Sequence, residues 1–343
     1  MKISSYSSRF GPVFLVIAGV FVGLFGLSLP LSAQEKEWPD VHADFQYGVF
    51  PYQADALERF ATEDARLLIS GLHKGWNVDK YIKESEIPDV EVLTLLDELE
   101  DARLIRGQTD YDMRPGFPVF REDDLAETAG LISDTAVGMA DLIEREWGMV
   151  DDLVASLEAG SDLPRGEIIY RAVVGGLLFG GMIETLTDDK TLMPGAPRRA
   201  SRNDAYYAWM TEGDSGPEHL VWQSASVGRH QVYSIGTAAQ DDPRVQISVL
   251  AETDPVYEYD DARRWRVFAN VMSRDYLLPY LKTRRSELLE LHSDMDASNY
   301  SAFGEFIAWF YISAASEAAE VLVQRGRLSG PETAFRYALR TDR

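Results

Sequence analysis

Leu95-Leu96-Asp97-Glu98-Leu99-Glu100-Asp101-Ala102-Arg103-Leu104-Ile105-Arg106-Gly107 is the stretch on which the reading of the fold turns. Leu93, Leu96 and Leu99 recur at the spacing that gives a helix one buried stripe. Pro88 suits the first turn of that helix, where its missing N–H is no loss. After Arg103 the chain reads as extended at Leu104-Ile105-Arg106-Gly107. It crosses a polar loop around Thr109-Asp110 and is extended again at Phe117-Pro118-Val119-Phe120; the two extended segments are expected to pair as a hairpin. Upstream, Leu57, Phe60, Ala61, Leu67 and Leu68 share one helical face that Gly71 and Gly75 close. A short helix over about 78–83 follows.

Helix, short helix, helix and small hairpin is the order of a winged helix. The quoted string resembles the junction of recognition helix and wing in winged-helix regulators of the multiple-antibiotic-resistance type, over about residues 53–121. The resemblance implies DNA binding, with the Pro88–Arg103 helix in the major groove. The charges depart from that pattern. Between Glu86 and Arg106 there are seven acids (Glu86, Asp89, Glu91, Asp97, Glu98, Glu100, Asp101) and two bases. A net −5 repels phosphate, so the fold carries over and the DNA-binding residues do not.

The whole chain agrees with that exclusion. Its 343 residues carry 33 Lys+Arg against 56 Asp+Glu, a net charge of −23, which argues against a nucleic-acid partner. With 45% hydrophobic residues it can build cores for roughly two domains. No cysteine is present, which excludes disulfides, thiol nucleophiles and cysteine-ligated metals. Lys2 and Arg9 precede an apolar run from Val13 to Leu29, then Pro30 and the small residues to Ala33. That is the order of a secretory signal over residues 1–33, cleaved near Ala33. The alternative is an uncleaved anchor, the only membrane contact expected. Removing residues 1–33 takes away two bases and no acid, so the net charge becomes −25. Either way an acidic body is expected outside the cytoplasm, periplasmic or extracellular.

Residues 34–52 read as an extended lead-in. Residues 122–343 read as a mainly helical domain carrying a three-stranded β-meander at about 219–250. Within it Glu122 to about Ala159 is a helical region, and Ala172–Ile183 is a glycine-rich helix expected to pack closely on a neighbour. Residues 188–204 read as a polar linker. His219–Ser226 and Arg229–Gly236 are expected to pair around Val227-Gly228, with Leu220 facing Ile235 and Trp222 facing Tyr233. Val245, Ile247 and Val249 offer the third strand. From Tyr257 the chain reads as helical to its end, with a kink or restart at Pro279 and a last short helix after Pro331.

Candidate chemistry is sparse. Gly213-Asp214-Ser215-Gly216-Pro217 resembles the nucleophile loop of chymotrypsin-like proteases but lacks the second glycine, and the chain upstream reads as helical rather than as β-barrels, so a turn is its first reading. The five histidines (His42, His73, His219, His230, His292) show no zinc spacing, and no cofactor or metal site is assigned. Asp188-Asp189 and Asp241-Asp242 are calcium candidates that read first as solvated loops. Tyr206, Tyr207 and Trp209, with Trp222 and Tyr233, form the densest aromatic grouping. Core where helix meets sheet is their first reading. With Arg198, Arg199 and Arg202 they offer a pocket for an acidic or ring-shaped ligand as the second.

The expected architecture is α+β and mainly α-helical: an N-terminal winged-helix-like unit, then a helical domain with a three-stranded antiparallel insertion. Three functions stay open: a non-catalytic protein that binds a protein or small-molecule partner, an exported hydrolase using carboxylates, and a membrane-anchored transcription regulator.

Overall fold

The computed structural model describes residues 45–52, 62–85, 87–109, 111–157, 163–199, 205–213, 220–236, 247–330 and 334–342. The signal segment, His42, Arg202, Asp214 to His219, Asp241-Asp242 and Val245 lie outside the described residues. Part of the extended lead-in is a strand, β1 (Phe45–Phe50). Three helices follow: α1 (Glu63–His73), α2 (Val78–Ser85) and α3 (Asp89–Asp101). Thr62 caps α1, its Oγ1 accepting from the N–H of Ala65 at 3.3 Å, and Glu63 and Asp64 complement the helix dipole. On α3 the buried stripe is Val92, Leu96 and Leu99. Leu93, expected inside, is 48% exposed, because Val92 takes the core-facing position one residue earlier.

β2 (Ile105–Arg106) pairs antiparallel with β3 (Arg114–Pro115), not with Phe117–Phe120 as expected. The Asp112 carboxylate is the reason. It accepts from Gln108 N, Thr109 N and Thr109 Oγ1, which closes the loop early. The displaced segment forms β4 (Val119–Phe120), parallel to β5 (Tyr207–Glu212), which in turn runs antiparallel to β1. Val119 and Phe120 are both buried, so neither face of this segment suits a solvent-facing hairpin. The polar linker at 188–204 is less polar in place than in sequence: Leu192, Met193 and Arg199 are buried.

The helical region after Glu122 breaks at Glu146 into α4 (Glu122–Arg145) and α5 (Trp147–Ser156). The glycine-rich stretch runs as α6 (Arg165–Tyr170), a π-helical segment (Arg171–Gly181) and α7 (Met182–Asp189). After β6 (Val221–Val227), β7 (His230–Gly236) and β8 (Val256–Tyr257) come α8 (Tyr259–Val271) and a second π-helical segment, Met272–Leu277. Pro279 restarts the helix in the first turn of α9 (Leu278–Thr283), followed by α10 (Arg285–Asp294) and α11 (Phe303–Gln324). α11 packs along α4. The helical runs Arg165–Asp189 and Phe303–Gln324 are long and apolar enough to cross a membrane. Their apolar windows are 72% and 78% buried inside this fold, where they form its centre.

The chain ends in a strand, β9 (Phe335–Arg340), where a short helix was expected. Its period is two: Phe335, Tyr337 and Leu339 face the helical core, while Ala338 joins the core on the opposite face. β9 therefore takes the place expected for Val245–Val249 and makes a four-stranded sheet of order β6-β7-β9-β8, parallel only at β8. Ile247 is not in a strand; it covers Val232 and Ala338 on that outer face. The β6–β7 register differs by two residues from expectation. Trp222 faces Ile235 and Ser224 faces Tyr233, because the two-residue turn is Gly228-Arg229. Gly228 has φ +61°, the left-handed geometry that the first position of a type II′ turn requires. A two-residue slip keeps every side chain on its face, so the hydrophobic pattern could not reveal it.

Besides the small outer cluster of Val232, Ile247 and Ala338, two larger apolar cores form among the described residues. The smaller joins α1 to α3 and the β2–β3 ribbon to Tyr206, Ala208 and Met210, and the larger holds the helices and one face of the four-stranded sheet. β5 serves both. Tyr206, Ala208 and Met210 point into the smaller core, Tyr207 and Trp209 into the larger.

Candidate functional site

Alternation along three adjacent strands brings Trp222 and Ser224 of β6, Tyr233 of β7 and Tyr337 of β9 to one sheet face. The Tyr233 and Tyr337 rings stack at 4.9 Å, and Tyr337 stacks on Trp265 of α8 at 5.2 Å. Trp222 lies 6.1 Å from Tyr233 and stacks on Phe50 of β1 at 5.2 Å. This ladder of rings borders a groove of about 600 Å³, a size that suits a small organic ligand.

The π-helical segment supplies the groove's facing wall. Gly175, Gly176, Gly180 and Gly181 line it, with Ile183 and Glu184 beyond. The glycines are required by close approach. A Cβ on Gly176 would sit 2.0 Å from Nε1 of Trp265. Trp265 and Tyr337 are 1% and 0% exposed, so they form the packed base, while Tyr233, Ser224, Gly180 and Gly181 are half-buried and form the reachable floor.

The mouth belongs to α8 and the start of the second π-helical segment. Arg263, Arg266, Val267, Asn270 and Arg274 recur at helical spacing, are exposed, and line the groove. Arg274 pairs with Asp188 at 3.0 Å. Arg266 donates to the main-chain oxygen of Arg340 at 2.9 Å and has no carboxylate partner, and Arg263 has no ion pair among the described residues. Glu184 is the one carboxylate in the lining. Burial pushes the Tyr233 phenol up to about 12, Arg266 opposing and Glu184 reinforcing the shift, so Tyr233 presents a neutral hydroxyl at neutral pH.

The residues expected to form a pocket divide among three places. Trp222 and Tyr233 line the groove. Tyr206, Tyr207 and Trp209 are buried on β5, and the Tyr207 hydroxyl donates to the Pro194 carbonyl. Arg198 is exposed, and its main-chain oxygen accepts from Arg103. Arg202 lies outside the described residues. Arg199 is no ligand arginine: it donates to the main-chain oxygens of Tyr206, Arg103 and Gly116 and to the Glu305 carboxylate. The groove arginines were missed in the sequence although their three- and four-residue spacing is visible there. That spacing alone is what any solvated helix face shows, so it does not mark a groove.

Asp188 and Asp189, the calcium candidates within the described residues, pair with Arg274 and Lys282. Among the described residues no group of three or more His, Asp or Glu side chains is placed to hold a metal ion. The chain matches no protein-family model, no curated protein and no solved structure.

Proposed function

We propose that this chain is an exported, acidic, non-catalytic binding protein whose groove holds a ring-bearing small molecule. The observation that carries the reading is the groove itself: about 600 Å³, with the half-buried Tyr233 ring and side-chain-free Gly180 and Gly181 as its floor. Hydrolysis by paired carboxylates is the weaker reading. It needs two acids facing one substrate. Here the buried acids Asp254 and Asp261 and the largely buried Glu305 each face an arginine (Arg336, Arg264 and Arg199), and the groove lining has a single carboxylate.

The N-terminal unit fits a winged helix turned to protein contact. α3, in the recognition position, exposes Asp89, Glu91, Asp97, Glu98, Glu100 and Asp101 beside Val90 and Leu93, a surface that repels phosphate and suits a protein. Export rests on Lys2, Arg9 and the Val13–Leu29 run; N-terminal sequencing of the secreted protein is expected to begin near Gln34.

Calorimetric titration with naphthalene-sized ring compounds tests the groove. Saturable one-to-one binding is expected, lost in Tyr233→Ala. Turnover of the probes, or binding that Tyr233→Ala leaves intact, overturns the reading.

A further inference from the structure

Arg263 and Arg266 both line the groove, and among the described residues neither has a carboxylate partner; Arg266 donates to the main-chain oxygen of Arg340. Arg103, Arg106, Arg114, Arg198 and Arg285 likewise carry no ion pair among the described residues, but none of them lines the groove. Both project from one face of α8 at the mouth of the groove. Two guanidinium groups on one helix face attract an anion that reaches both. The lining also holds buried polar hydrogens: among the described residues the Trp222 and Trp265 indole N–H groups and the Tyr337 hydroxyl have no hydrogen-bond partner. They make the groove wall polar at points between the rings.

We propose that the groove's ligand is an aromatic carboxylate: the ring lies on Tyr233 over Gly180 and Gly181, and the carboxylate is held at the mouth by Arg263 and Arg266. This rests on the groove being a ring-binding site. Guanidinium forks match a planar carboxylate, and the exposed Val267, next to Arg266 on the same helix, covers the ring edge. Glu184, the one carboxylate in the lining, belongs to α7 rather than α8 and disfavours an anion placed beside it, so the carboxylate is held at the α8 arginines.

Three probes of one shape test the proposal against the full chain: 2-naphthoate, neutral 2-naphthamide and cationic 2-naphthylmethylamine, each titrated by calorimetry at low and at physiological salt. Naphthoate is expected to bind at least tenfold more tightly than the amide, and the difference is expected to shrink as salt rises. Arg263→Gln with Arg266→Gln is expected to abolish the tenfold preference while the amide's affinity stays within twofold. The single Arg263→Gln, at an exposed position, is expected to lose part of it. Equal binding of naphthoate and amide, or tightest binding of the amine, overturns the carboxylate assignment and leaves the ring site standing. Absence of binding by all three overturns the ring site as well.

Discussion

The Arg199 guanidinium meets the Glu305 carboxylate at 2.5 Å inside the protein, with Arg199 2% exposed. The pair ties the first turn of α11 to β5, to the end of α3 and to Gly116 beyond the β2–β3 ribbon. Burial alone would raise the Glu305 pKa and lower that of Arg199; each charge opposes the shift of the other.

Removing one member leaves the other charged, buried and alone. Arg199→Ala is expected to lower the unfolding free energy by about 3–5 kcal/mol in urea titration. The double change Arg199→Met with Glu305→Leu is expected to recover a large part of that loss. If the double variant is as unstable as the single one, the pair is not the source of the effect.

His73 gives the stability a pH dependence. Its Nδ1 lies 2.8 Å from the Tyr300 hydroxyl, which also accepts from the Val119 N–H, so the Tyr300 proton points to the imidazole. Burial lowers the His73 pKa from 6.5 to about 4, partly offset by Asp296. The unfolded chain therefore binds a proton in a range where the folded one does not. The contribution is whole above about pH 6.5 and is lost as pH falls towards 4, by at most about 3 kcal/mol. Urea titrations from pH 7.5 to 4 are expected to show a shallower fall for His73→Gln than for the parent. Parallel curves would refute it.

Glycine substitutions separate close approach from propensity. Gly176→Ala drives a methyl into the Trp265 indole and is expected to cost about 1–3 kcal/mol, with blue or red displacement of the tryptophan emission. Gly130→Ala, in the exposed middle of α4 with nothing within 4 Å, is expected to stabilise by about 0.5–1 kcal/mol. Thermal melts of the two variants moving in the same direction would contradict the packing described for the π-helical segment.

Much of the helical content was legible because it repeats at short range. The α3 stripe, the α11 run and the restart at Pro279 need only neighbours three and four residues away to declare themselves. What the sequence by itself determined is therefore the mainly helical α+β class, the net charge of −23, and the presence of two strands around Gly228. Its errors lie where partners are distant. β9 reads as an amphipathic fragment of either kind until β7 is beside it, and Phe117–Phe120 reads as half a hairpin until β5 arrives from far along the chain. The β6–β7 register differs by two, a slip invisible to a period-two pattern. Only the tertiary structure decided the site. Tyr337 and Trp265, far apart in sequence, stack in one ladder, and Arg263 and Arg266 line the groove beside it while Arg199 is buried against Glu305, because which arginine is buried and which borders a groove depends on elements distant in the chain.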